Sequence, residues 1–129
     1  MTDKKQDYIK RIIDLCELLT KDYDEQCNSF EDFVRWNLPD EIGLSWIDDE
    51  YILKSEIVKD VLGIKRTNIV ITIFNNFENA FANHCDVWTD HAMKTHFFWK
   101  TQRDLAKQLL SSLDASLYSQ GKAAENSPH

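Results

Sequence analysis

The sequence predicts an all-α protein, a single-domain bundle of four or five helices with a long C-terminal helix, and three observations carry that expectation. The 129 residues hold only three glycines and two prolines, too few for the tight turns of a sandwich or barrel. Apolar residues recur at threes and fours over most of the chain, the spacing of one helix face. Serine and threonine stand ahead of several of these runs, where they can serve as N-caps.

Ile9, Ile12, Ile13, Cys16 and Leu19 share a face, widened by Leu15 and Leu18, and predict a helix over residues 4–23. A second helix is expected in NSFEDFVRWNLP, where Ser29 caps and Asp32 answers it three residues later. Pro39 should stop that helix, because the residue before a proline avoids the helical region. Ser45 and Asp48 repeat the pattern and open a third run, in which Ile47, Tyr51, Ile57, Val58, Val61 and Leu62 share a face and Gly63 supplies the stop. Thr67 is placed to cap a fourth, with Val70, Ile73, Phe74, Phe77, Ala80 and Phe81 in helical register. Its first half, IVITIF, is β-branched and fits a buried strand as well, so the alternative is an α+β class in which residues 69–74 form a strand. From Trp88 the pattern resumes at threes and fours as far as Tyr118, predicting the longest helix. Residues 1–118 are thus expected to form one domain, and residues 119–129, SQGKAAENSPH, a disordered tail without an apolar stripe.

The stretch HCDVWTDHAMKTHFFWK, residues 84–100, concentrates three of the four histidines with one cysteine and four aromatic residues. Two histidines on one helix converge on an ion when they lie three or four residues apart; His84, His91 and His96 are spaced by seven and five. The first spacing separates the imidazoles by about 10 Å along a helix axis, and the second turns them more than a right angle apart. No metal and no cofactor is therefore expected. Cys85 and His84 point about 100° apart on a helix and do not make a nucleophile–base pair, so the cysteine reads as a small buried hydrophobe. With no glycine-rich phosphate loop, nucleophile elbow or other catalytic signature, no enzymatic activity is expected. Trp88, Phe97, Phe98 and Trp99 read as core and near-core packing. Three consecutive aromatic residues spread over about 200° of a helix, so at least one of Phe97, Phe98 and Trp99 must meet a second contact.

The net charge of −7 is unevenly placed. From Asp22 to Asp60, twelve carboxylates face only Arg35, Lys54 and Lys59, an excess of nine, while the rest of the chain carries +2. Phosphate binding needs a basic footprint, so nucleic acid is not expected as the direct ligand; a basic protein partner is. Three widely spaced cysteines suggest neither a disulfide framework nor a zinc site and point to the cytoplasm. MTDKKQDYIKRIID interleaves charge with its apolar pairs, and the longest uncharged run, TNIVITIFNNF, is too short to span a bilayer, so no membrane association is expected.

The acidic segment also holds Trp36, Trp46 and Tyr51, and two readings stand side by side. In one the tryptophans are core and the acids a solvated face. In the other, Asp40, Glu41, Asp48, Asp49 and Glu50 meet a basic toxin- or nuclease-like protein, with Trp36 or Trp46 as the buried anchor, in an inhibitor of immunity type. The missing catalytic apparatus favours the second. An adaptor or oligomeric helical scaffold, and a small metal-dependent enzyme assembled from distant residues, are the alternatives.

Overall fold

The first apolar stripe folds as its spacing dictates. In the computed structural model, which describes residues 4–28, 38–83, 86–115 and 117–119, it is the buried face of α1 (Lys4–Thr20). Ile9, Ile12, Ile13, Leu15, Cys16 and Leu19 are all buried there. This helix ends three residues earlier than predicted, because the Asp22 carboxylate accepts the Glu25 N–H at 2.8 Å and starts a new helix, α2 (Tyr23–Asn28). The expected helix start at Ser29 and Asp32 lies outside the described residues.

Pro39, expected to stop a helix whose residues 29–37 lie outside the described ones, is itself helical. It sits in the first turn of α3 (Leu38–Asp48), where an intrahelical N–H partner is not needed and the proline ring is tolerated. Ser45, expected as a cap, is in the middle of α3, its hydroxyl donating back to the Glu41 carbonyl at 2.8 Å. A turn at Asp49 leads to the short α4 (Glu50–Leu53). The cap that does form is ten residues later: the Ser55 hydroxyl accepts the Val58 N–H at 3.2 Å and opens α5 (Glu56–Ala82).

Gly63 ends the first helical run of α5 where the sequence placed a stop, and a second run follows directly. Its φ of 83° and ψ of 171° are open to glycine almost alone, and helical geometry resumes at the next residue. Thr67 is consequently inside a helix, not at its start. Residues 69–74 are helical, with Val70, Ile73, Phe74, Phe77 and Ala80 buried on one side, and no strand occurs among the described residues; the protein is all-α.

The expected C-terminal helix is present but divided. Thr89 accepts the Ala92 N–H at 3.0 Å and caps α6 (Asp90–Thr95). His96 then turns extended, at φ −80° and ψ 139°, and its Nδ1 accepts the Phe98 N–H at 2.9 Å to cap α7 (Phe97–Ser112). No glycine or proline marks this break. What holds the corner is tertiary: the buried Trp99 indole donates to the Val87 carbonyl at 2.7 Å, tying the start of α7 to the loop before α6. At 16 residues α7 is shorter than α5, which spans 27. Of the tail expected to be disordered from residue 119, Ser119 is helical and residues 120–129 lie outside the described residues.

α1 lies along α7, and α5 packs against both. Phe77 is the hub of the core, with ring centroids of Trp46, Trp88, Phe98 and Trp99 all within 6.3 Å. Burying a ring of that size contributes about 1.5–3 kcal/mol, and well-oriented pairs add about 0.5–1.5 kcal/mol. One polar bridge crosses this core: the buried Gln102 of α7 donates to the Ile73 carbonyl at 3.0 Å and accepts from Asn76 at 2.9 Å. Each of its amide atoms has a partner, which offsets the cost of burying them.

Candidate partner-binding surface

Helix geometry sorts the acidic segment into an inner and an outer side. On α3, Leu38, Ile42 and Trp46 are fully buried. Asp40, Leu44 and Asp48, each four residues from the next, form a ridge on the opposite side, with Glu41 and Ile47 half-exposed at its edges. Leu44 is 39% exposed, and Tyr51 on α4, one turn beyond Asp48, is 67% exposed. Tyr51 meets Tyr8 of α1 edge to face, with ring centroids 6.4 Å apart, and Lys4 lies over the other ring, 5.5 Å from its centre.

The charges of this surface have separate assignments. Asp40 and Glu41 occupy the first turn of α3, where the helix dipole favours carboxylates. Among the described residues neither they nor Asp48 has an ion-pair partner. Glu50 is exposed and accepts from Lys54 at 2.6 Å, which holds the lysine pKa above its ordinary value. Asp49 is different. Its side chain is 13% exposed and is engaged by the Arg11 guanidinium of α1, so this carboxylate fastens α4 to α1 and is withdrawn from the contact surface. Trp46 is likewise a core residue, packed on Phe77 with centroids 6.2 Å apart, and does not serve as a surface anchor. Trp36 lies outside the described residues.

The exposed aromatic side chain beside these acids is instead Tyr51, which the sequence pattern placed on a buried face together with Ile57 and Val58. That pattern assumed one continuous helix from Ser45 to Leu62; the turns at Asp49 and Lys54 reset the phase, and Tyr51 comes out on the solvent side. The signal that would have found the ridge was the four-residue spacing of Asp40, Leu44 and Asp48 against Ile42 and Trp46.

Of the three consecutive aromatics in the histidine-rich stretch, Trp99 is buried, Phe98 half-buried and Phe97 75% exposed. Phe97 borders a concavity of about 510 Å3 with Asp86, His91 and His96. The two imidazoles border one depression because the helix breaks at His96, where a continuous helix would have turned them apart. Among the described residues no group of three or more histidine, cysteine, aspartate or glutamate side chains is placed to hold a metal ion; His84 and Cys85 are not among them. No described helix is long and apolar enough to cross a membrane. The sequence matches no family model, and neither curated proteins nor solved structures give a significant match.

Proposed function

We propose that this chain is a cytoplasmic, non-enzymatic protein-binding module that docks the α3–α4 face on a basic partner protein. The observation that carries this reading is the ridge of Asp40, Leu44 and Asp48 ending at Tyr51, which presents carboxylates without ion-pair partners among the described residues beside two exposed apolar side chains. Interfaces of this kind draw affinity from a few aromatic anchors and draw association rate and partner choice from charge. The partner class that fits is a toxin or nuclease whose basic site would otherwise hold nucleic acid, the chain acting as its inhibitor.

The test is capture from the source lysate at about 0.05 M and about 0.5 M salt, followed by identification of the bound protein and assay of its nuclease activity with and without the chain. The expected partner is basic, is released at the higher salt and is inhibited stoichiometrically. Asp40→Asn with Asp48→Asn should slow its association, and Tyr51→Ala should speed its release and cost about 2 kcal/mol or more. A partner that is acidic, or one indifferent to all three substitutions in a folded protein, would sink the proposal. The exposed Phe97 favours a second reading, a scaffold that assembles through α6–α7, for which sedimentation of wild type and Phe97→Ser would detect a multimer that the substitution dissolves.

A further inference from the structure

The same acidic chain carries one concentrated basic site, on a different part of the molecule. Tyr8 and Thr20 lie about 18 Å apart along α1, at 1.5 Å per residue. The first supports the acidic face; the second borders a concavity of about 360 Å3 walled by the α1–α2 turn, α6 and α7. Four cations line it: Lys21 from the turn, Lys94 from α6, and Arg103 with Lys107 from α7. Asp22 is the single carboxylate of the lining, and one of its oxygens already accepts the Glu25 N–H.

The fold gathers these charges for reasons visible in the geometry. Arg103 and Lys107 are four residues apart and share a face of α7. Lys94 joins them because the chain turns at His96, so that α6 packs against α7 instead of extending it. Arg103 anchors that arrangement by donating through one nitrogen to the Met93 carbonyl at 3.0 Å. Lys94 is steered by Tyr23, its Nζ lying 4.4 Å from the ring centre. The nearest acid of α7, Asp104, is paired with Lys100 at 2.9 Å. Lys94 and Lys107 have no carboxylate partner among the described residues.

We propose that this concavity binds a compact phosphate-bearing small molecule. A guanidinium and several ammonium groups converging on one hollow match the charge and donor demand of a phosphate or pyrophosphate group. Size follows from the surroundings. The five charged residues of the lining carry a net +3, and with them set aside the −7 of the whole chain becomes −10 for the remainder. An extended polyanion would leave the hollow for that negative surface, whereas a small phosphate ester stays within it.

Isothermal titration of the full chain with inorganic pyrophosphate and with ATP, at low ionic strength, tests the proposal. One-to-one binding is expected, with Lys94→Gln plus Lys107→Gln weakening it at least about tenfold, as loss of charge-assisted hydrogen bonds does. Lys59→Gln plus Lys65→Gln, which removes two exposed cations of α5 outside the hollow, should leave binding within about twofold. A ligand-induced rise in melting temperature, present in the wild type and absent from the Lys94/Lys107 variant, provides a second reading on folded protein. Absence of one-to-one binding, or equal weakening by both double variants, would overturn the site in favour of diffuse charge. A short DNA duplex binding more tightly than pyrophosphate would overturn the compact ligand in favour of nucleic acid.

Discussion

Gly43 and Trp88 meet so closely that a β-carbon on the glycine would stand 2.8 Å from two atoms of the indole and 3.1 Å from Phe81. The indole is held from its other neighbours, stacked on Phe81 with centroids 4.0 Å apart and in contact with the Phe77 ring. Glycine is thus where α3 approaches the aromatic core by backbone alone, the use for which an absent side chain is suited.

Substituting Gly43→Ala sets two effects against each other. Helix propensity improves by about 1 kcal/mol, while overpacking of a rigid ring costs about 1–3 kcal/mol. Because the clash is with ring atoms already in contact on several sides, the expected result is a net loss of about 1 kcal/mol. It would appear in urea denaturation as a lower midpoint at unchanged slope. A raised midpoint would mean that the ring retreats freely.

Asp48 and Asp49 are adjacent in sequence and should respond differently to the same change. Asp49→Asn breaks the ion pair with Arg11, whose side chain is 44% exposed against 13% for the aspartate. That partial exposure places the expected loss at roughly 1–2 kcal/mol, below the cost of breaking a fully buried pair. Asp48→Asn should change stability by less than about 0.5 kcal/mol, as exposed substitutions do. Chemical denaturation of both variants checks the division between a carboxylate of the fold and one of the surface; equal effects would contradict it.

Cys16 provides a pH prediction. Burial, with a smaller contribution from neighbouring Glu17, raises its thiol pKa far above the ordinary value of 9.0. Above that value the unfolded chain loses a proton that the folded chain keeps, so the stability this thiol contributes is full below about pH 9 and falls as pH rises, by up to about 1.4 kcal/mol per unit. Other groups titrate in the same range, so the measurement is the difference between wild type and Cys16→Ala from about pH 8 to about pH 10.5. The wild type should lose more stability over that interval, and its Cys16 should resist thiol reagents until the protein unfolds. Parallel pH profiles would refute the assignment.

The acidic surface was legible only in part. Its net charge and location stand in the sequence, as does the helical spacing of Asp40, Leu44 and Asp48. Which aromatic side chain accompanies the acids does not. Tryptophan serves as an anchor and as a core filler equally well, and Trp46 became core because α5 places Phe77 against it, 31 residues away in the chain. Asp49 left the surface for a comparable reason: Arg11, 38 residues earlier, reaches it from another helix.

Local periodicity by itself determined the buried faces of α1 and α5, the break at Gly63 and the spread of Phe97, Phe98 and Trp99 over different sides of a helix, and it favoured the all-α class without deciding between helix and strand at residues 69–74. Each of these follows from backbone geometry, steric limits on φ and ψ, and the 100° advance per residue, all of which act over a few positions. Only the tertiary structure decided where helices begin and end. Ser45 and Ser55 offer the same capping chemistry, and Pro39 suits a helix start as well as an approach to its end, so local signals leave several phases nearly equal in energy. Packing then selects among them, burying Trp46 and Trp99, tying the Trp99 indole to Val87 and turning the chain at His96. That selection rests on contacts between residues distant in sequence, whose burial outweighs the small differences in local propensity.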